Sequence, residues 1–263
     1  MLRSASQVKR MTESNHNGSS KRSVGPIFGG ILALILLVGG IFTYPTAQKA
    51  WKIAHPVPQN LSLDESLISN SSTTAKTIES RLKNQLDLKT LREEFEAQQY
   101  LSYCGVASSV MVLRSLGDKD VSQDNFFSDA TQKVHSRYET FFGGMTLKQL
   151  GGLLNAHGVK ANVFHADDSS LEEFRRHTRQ NLEEPNNFVL INYLRRAIKQ
   201  KSGGHISPIA AYDDVSDRFL VMDVAAHKYP PVWVKAEDLW KSLNTVDSDS
   251  GRTRGYVLVE KAK

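Results

Sequence analysis

The chain has little cysteine: Cys104 is the only one in 263 residues. An intrachain disulfide is therefore excluded, and so is a cysteine-rich zinc site. Two readings of the sulfur remain, a buried structural thiol and a nucleophile. A basic surface for nucleic acid is lacking too. The net charge is +5, but Arg3, Lys9, Arg10, Lys21 and Arg22 face only Glu13 in the N-terminal 22 residues, and the remaining chain is near neutral. No basic patch is implied for the folded part, and no nucleic-acid partner is expected. There is no internal repeat, and no charged residue lies between Arg22 and Lys49.

That uncharged stretch carries an expectation. Residues 24–44 include Ile31-Leu32-Ala33-Leu34-Ile35-Leu36-Leu37-Val38, and about twenty apolar residues at 1.5 Å each match the ~30 Å hydrocarbon core of a bilayer. Basic residues crowd the N-terminal side, which by the positive-inside rule places that end in the cytoplasm. The expected organisation is a disordered cytoplasmic tail over 1–23, a transmembrane signal anchor over 24–44, a linker over 45–60 containing His55-Pro56-Val57-Pro58-Gln59, and a catalytic domain over 61–263. The bilayer is then a partner. The domain would sit outside the cytoplasm, in the periplasm if the cell is Gram-negative. A cleaved signal peptide is the competing reading. Its cleavage sites after Ala47 and Ala50 fit poorly, because Pro45 and Gln48 would occupy the −3 positions.

Beyond the linker, the apolar spacing predicts surface helix over Ile78–Phe95, a helix over Cys104–Leu116, one from Thr146 closed by Gly158, and a charged helix over Ser170–Asn181. Val159–Phe164, Phe188–Tyr193, His205–Tyr212, Arg218–Val224 and Gly255–Val259 read as strands. Helices first and an antiparallel sheet second describe an α+β domain, with a cleft between the two as the natural site.

Tyr103-Cys104-Gly105-Val106-Ala107 places Cys104 at a helix N-terminus, where free N–H groups and the macrodipole favour a thiolate. A thiolate nucleophile needs a base, and the base needs an orienting group. Of eight histidines, His205 differs from the rest because it opens an apolar strand directly after Gly203-Gly204. Asp223 ends the next apolar run, Phe219-Leu220-Val221-Met222, where a carboxylate is costly without a partner. A hairpin turning near Asp214–Asp217 would bring 205 and 223 close to opposite positions. Asp223 would then orient His205, and His205 would deprotonate Cys104. Gln98, six residues before Cys104, has the spacing of a side-chain oxyanion donor.

Several segments closely resemble phytochelatin synthases: Tyr103-Cys104-Gly105-Val106-Ala107-Ser108, Gly204-His205-Ile206-Ser207-Pro208, Met222-Asp223-Val224, and Lys228-Tyr229-Pro230-Pro231-Val232-Trp233-Val234. Asn192-Tyr193-Leu194-Arg195 and Asn244-Thr245-Val246-Asp247-Ser248 resemble the short prokaryotic members in particular. The resemblance implies a papain-like fold, with a helical and an antiparallel-sheet subdomain. It implies that Cys104 cleaves the Cys–Gly bond of glutathione, releasing glycine and carrying a γ-glutamylcysteinyl group to water, or to a second glutathione to give a phytochelatin. Cys104, His205 and Asp223 match the family's triad and Gln98 its oxyanion residue, while Tyr103, Gly204 and Asp247 fall at substrate-binding positions.

No cofactor is required on this reading. Heavy metals such as Cd2+ or Zn2+ would enter as metal–glutathione thiolates, and a homodimer is compatible. The family's usual Arg three residues after the triad Asp is Ala226 in this chain, which leaves Asp247 without that partner unless Lys228, Arg252 or Arg254 substitutes. The cysteine-rich C-terminal region of eukaryotic members is absent, so hydrolysis is expected to dominate, as in short prokaryotic members. The alternatives are a papain-like peptidase for other peptides, and a non-catalytic, membrane-tethered domain binding glutathione or its metal thiolates.

Overall fold

Phe188–Ile191 is apolar at every position rather than at every second one, which is the pattern of a strand covered on both faces. The computed structural model, which describes residues 45–262, shows why. Seven strands form one sheet: β1 (Ile68–Ser69), β2 (Lys160–His165), β3 (Asn187–Leu194), β4 (Gly204–Asp213), β5 (Arg218–Val221), β6 (Val232–Lys235) and β7 (Gly255–Glu260). Their spatial order is β1-β6-β5-β4-β3-β7-β2, and every neighbouring pair is antiparallel.

Alternate residues of the central strands feed two cores. Phe188, Leu190, Leu220, Trp233, Val257 and Val259 pack with the Cys104–Ser115 helix and the Leu147–Ala156 helix. Val189, Ile191, Phe219, Val221, Val232, Val234 and Tyr256 pack on the other face, beneath Leu171–Glu183 and Ala236–Leu243. A two-residue alternation serving two helical layers is what a pleated strand provides. The shared edge of β7 leaves no room for a side chain at Gly255, where a Cβ would stand 2.0 Å from the Phe164 carbonyl oxygen of β2.

Helix ends follow local chemistry. Thr146 and Gln149 form a reciprocal capping box at the start of Leu147–Ala156, and Ser136 and Glu139 do the same for Arg137–Gly143. Ser170 caps Leu171–Glu183 by accepting from the Glu173 N–H.

Several expectations need correction. The α+β class with an antiparallel sheet is present, but the helices are not segregated from the sheet. Residues 48–263 cluster as one compact unit, and helices cover both faces of the sheet. The transmembrane helix written into the fold class is not supported. No helix among the described residues is long and apolar enough to cross a membrane. Among these helices Leu171–Glu183, with 13 residues, is rich in charge, and ~20 Å of helix falls short of a ~30 Å core. The proposed anchor over 24–44 and the tail over 1–23 lie outside the described residues. The single-pass anchor and the extracytoplasmic placement built on it are withdrawn.

The 45–60 linker is also misnamed. Residues 48–54 are helical, and the extended stretch after them is hydrogen-bonded into the domain, with Gln59 N–H on the His227 carbonyl at 2.7 Å and Leu61 N–H on the Lys228 carbonyl at 3.0 Å. Strand β5 stops at Val221, two residues before Asp223, and β6 and the Ala236–Leu243 helix carry no counterpart in the sequence reading.

Asp87, in the first turn of Leu86–Glu93, is buried, and its Oδ2 has no hydrogen-bond partner. Burial pushes its carboxyl up from 3.8 to about 8. The folded protein keeps a proton there that the unfolded chain has lost at intermediate pH, so stability is full below the unfolded value and falls as pH rises through the folded one. Asp87→Asn should remove this fall. Urea unfolding at a series of pH values should show the variant more stable than the parent near pH 8, by on the order of 2 kcal/mol, with the gap closing toward pH 4.

Candidate active site

The Cys104–Ser115 helix is built from Val106, Ala107, Val110, Met111 and Leu113, all buried against the sheet. Ser108 Oγ donates to the Ile206 carbonyl at 3.1 Å, fastening the first turn of the helix beside the start of β4. Cys104 is thereby held next to His205. Both line a cleft of about 420 Å³, together with Gln98, Asn192, Arg195, Gly204, Lys228, Asp247 and Arg254. Among the described residues no hydrogen bond joins Sγ to the imidazole; the two share the wall of the cleft.

His205 Nε2 donates to Asp223 Oδ1 at 2.9 Å. The two are not ladder partners: His205 pairs with Tyr193 across to β3, and Asp223 lies beyond the end of β5. The imidazole meets the Tyr193 ring edge-on at 5.7 Å. Asp223 is completely buried and accepts from the Ala225 N–H at 2.9 Å.

A residue that sequence reasoning passed over completes the arrangement. Arg195, 2% exposed, donates through Nη2 to Asp223 Oδ1 at 2.7 Å and holds Nη1 2.7 Å from Oδ2. Nη1 also donates to Gln200 Oε1 at 2.5 Å. The guanidinium lies 5.9 Å from the Tyr193 ring centroid and 5.4 Å from that of Tyr229. The signal was available. Arg195 and Asp223 are opposite charges, each following an apolar strand, and each is costly when buried unless they pair.

The electrostatics follow from this packing. Burial opposes ionisation of Asp223, but His205 and Arg195 hold it well below the usual carboxylate range. Burial and then the Arg195 charge push His205 down to about 4, against the pull of Asp223. Burial pushes the Cys104 thiol up, outweighing the Ile206 and Gly105 N–H groups that favour the thiolate. The helix N-terminus therefore does not ionise the resting sulfur as expected. Both shifts favour the uncharged forms, the thiol and the neutral imidazole.

Other expected site residues fare differently. Gln98 lines the cleft, but both its amide hydrogens are committed to carbonyls, Tyr100 at 2.8 Å and Leu101 at 2.9 Å, and its buried Oε1 is left without a partner. Its donors face its own loop rather than the sulfur. Tyr103 is not part of the cleft wall; it is a core residue packed edge-on to Tyr100 at 4.7 Å. Gly204 does line the cleft, and its lack of a side chain has a use, since a Cβ would come within 3.1 Å of Arg254 Nη2.

Asp247 is buried and is not orphaned by Ala226: Arg254 Nη2 reaches its Oδ1 at 3.4 Å. Arg254 also donates to the Val246 carbonyl at 2.6 Å and keeps a buried, unpartnered Nε. Arg252 is engaged elsewhere, with Asp167 and Asp168, and Lys228 Nζ reaches Ser202 Oγ at 3.2 Å. Ala226 lies outside the cleft, on an adjoining groove. Three other histidines pin segments together: His135 bonds the Gly144 carbonyl, His157 that of Phe126 and His165 that of Thr253.

A family model described as phytochelatin synthase matches residues 58–256. The chain belongs to the phytochelatin synthase family. Among curated relatives, glutathione gamma-glutamylcysteinyltransferase 1 of Lotus japonicus is 33% identical over 178 residues, covering 64% of this chain and 34% of the relative. Glutathione gamma-glutamylcysteinyltransferase 2 of Arabidopsis thaliana is 31% identical over 172 residues, 64% of this chain and 38% of the relative. Glutathione gamma-glutamylcysteinyltransferase of Schizosaccharomyces pombe is 28% identical over 191 residues, 69% of this chain and 44% of the relative. The chain thus spans a third to under half the length of these phytochelatin synthase relatives. Cys104, His205, Asp223, Arg195 and Asp247 all fall inside the phytochelatin synthase match, and Lys49 and Ile53 of the cleft wall fall outside it. Among the described residues, no group of three or more His, Cys, Asp or Glu is arranged to hold a metal ion.

Arg195 has a testable consequence as a positioning residue. In Arg195→Met the positive charge that holds the imidazole pKa down is gone, and Asp223 keeps only His205 and the Ala225 N–H. The His205 pKa should rise, so the acid limb of the kcat/KM profile for this chain's reaction should move from about pH 4 toward neutrality. Thermal unfolding should show a loss of about 3–5 kcal/mol, the usual result of breaking a buried pair. Arg195→Lys, which keeps the charge without the fork, should restore the acid limb more fully than the stability.

Proposed function

We propose that the chain is a cysteine acyltransferase acting on glutathione, with Cys104 as nucleophile, His205 as base and Asp223 as its orienting group. The observation that carries this reading is that Cys104 and His205, from distant stretches of sequence, line a single cleft, with Asp223 buried behind His205 and bonded to it at 2.9 Å. The names of the relatives, glutathione gamma-glutamylcysteinyltransferases, supply the substrate and the transferred group.

Ionised Asp223 fixes Nε2 as the hydrogen-bearing nitrogen of His205, which leaves Nδ1 as the proton acceptor. With a neutral couple at rest, the thiol proton passes to Nδ1 as Sγ attacks the carbonyl carbon of the Cys–Gly bond. The tetrahedral oxyanion forms beside the start of the Cys104–Ser115 helix, whose leading N–H groups lack intrahelical acceptors. Rotation of the Gln98 amide out of its loop would add a second donor there. The protonated imidazole then gives its proton to the glycine nitrogen, the C–N bond breaks, and glycine leaves.

The γ-glutamylcysteinyl thioester remains on Cys104. Water, deprotonated by His205, gives γ-glutamylcysteine; the amine of a second glutathione gives a phytochelatin. Hydrolysis is taken as the principal route and transfer as the lesser one. Heavy metal enters as the thiolate complex of the substrate. The polar walls suit this small charged peptide. Arg254, Lys228 and Lys49 offer cations for its two carboxylates, and Asp247 and Asp249 offer acids for its ammonium.

Incubating the protein with glutathione should release glycine together with γ-glutamylcysteine, followed by chromatography of the derivatised products. Cys104→Ala and His205→Ala should each lower kcat by on the order of a thousandfold or more while leaving the thermal unfolding transition in place. Cleavage of unrelated peptides with glutathione untouched would select the peptidase reading, and no glycine release above the Cys104→Ala background would overturn the assignment.

A further inference from the structure

The wall of the cleft includes two residues, Lys49 and Ile53, that precede the stretch shared with the family. They sit on the helical residues 48–54, which are tied to the domain by main-chain bonds on both sides of the site. The Leu101 N–H donates to the Ile53 carbonyl at 3.0 Å, three residues before the nucleophile. Further along, Gln59 N–H and Leu61 N–H bond the His227 and Lys228 carbonyls, just after Asp223. Trp51 and His55 stack at 3.8 Å, and His55 Nδ1 bonds the Trp51 carbonyl at 2.9 Å, which fixes the turn out of the helix. Residues 48–61 thus form a strap that bridges the helix side and the sheet side of the cleft.

The charges within the cleft are unevenly satisfied. Arg195 is paired with Asp223, Arg254 with Asp247, and Lys228 Nζ rests on Ser202. Lys49 has no carboxylate partner among the described residues; its Nζ lies 5.7 Å from the Phe142 ring centroid, on the rim formed by Phe142 and Gly143. A cation held over an aromatic face at the mouth of a cleft is placed to receive an anion from the ligand.

We propose that the strap is a specificity element of this site, in which Lys49 receives the α-carboxylate of the γ-glutamyl residue of the substrate. The inference rests on glutathione as the substrate class. The assignment to that end of the peptide comes from distance along the molecule. The glycine carboxylate lies close to the scissile carbonyl, so it falls near the sulfur and His205, on the part of the wall where Lys228 Nζ rests on Ser202 Oγ at 3.2 Å, three residues before His205. Lys49 lies instead against the Phe142 ring, with Nζ 5.7 Å from its centroid. It therefore fits the carboxylate at the remote end of the γ-glutamyl side chain.

The test compares KM for glutathione with KM for 4-aminobutyryl-Cys-Gly, which lacks only the α-carboxylate, in the parent chain, Lys49→Ala and Lys49→Arg. Lys49→Ala should raise KM for glutathione about three- to tenfold with little change in kcat, should leave KM for the analogue unaltered, and should be rescued by Lys49→Arg. An equal effect of Lys49→Ala on both peptides, or none on glutathione, overturns the proposal. So does an effect that disappears instead with the glycine ethyl ester of glutathione. If the parent chain releases no glycine at all, the substrate assignment fails by itself. Glutathione affinity of Cys104→Ala with and without Lys49→Ala, measured by calorimetry, still decides whether Lys49 contacts the peptide.

Discussion

The site depends on one buried carboxylate. Asp223 sits out of water, where a lone charge would be prohibitive, and it is kept ionised by the Arg195 guanidinium, the His205 ring and the Ala225 N–H. These partners come from neighbouring strands. Arg195 follows the C-terminal end of β3, His205 opens β4, and Asp223 lies just past the C-terminal end of β5. Because β5, β4 and β3 are adjacent and antiparallel, those three ends lie at the same end of the sheet. A slip of one residue in either ladder would turn a charged side chain away from its partner, so sheet register and catalytic geometry are set together.

Buried ion pairs add little net stability when compared with apolar replacements, because desolvation consumes most of the Coulombic gain. The value of this one lies in orientation. With Asp223 ionised and anchored through Oδ1 by Arg195, His205 and the Ala225 N–H, Nε2 of His205 carries the hydrogen, and the other nitrogen is free to accept one. The arginine also acts on the base at a distance, since its charge disfavours a second charge on the imidazole. Tyr193 and Tyr229 flank the guanidinium and keep it from swinging out. The same strand that supplies Arg195 supplies Tyr193, so the base is braced on two sides by β3 and its continuation.

The sequence carried the reacting groups more clearly than their surroundings. Cys104 stood out because it is alone, His205 because it follows two glycines into an apolar strand, and Asp223 because a carboxylate terminates one. In each case a costly residue type occurs in a local pattern that makes its cost visible. Gln98 lines the cleft, but the direction of its amide depends on which carbonyls the 100–101 turn presents, and spacing does not encode that. Tyr103 adjoins the nucleophile in sequence yet points into the core, since consecutive residues at a helix start face different ways. Arg195 and Lys49 were missed for a common reason. Their roles come from contacts with segments far away in the chain, and by local pattern one reads as a turn residue and the other as linker. The same limit hid β6, whose four residues become a strand only by lying between β5 and β1.

On the proposed function, the surroundings of the sulfur and the imidazole favour one way of generating the nucleophile. A preformed thiolate–imidazolium pair would place two charges in a pocket that already holds an arginine and an aspartate, and both shifts run against it: the thiol is pushed up and the imidazole down. The proton then has to move during attack, when negative charge flows from sulfur to the substrate oxygen and the helix N–H groups can meet it. A neutral resting thiol is also less exposed to oxidation, because the thiolate is the species that oxidants attack. For a chain with a single cysteine, open to a cleft of about 420 Å³, deferring ionisation until a substrate fills that space confines the reactive sulfur to the moment it is used.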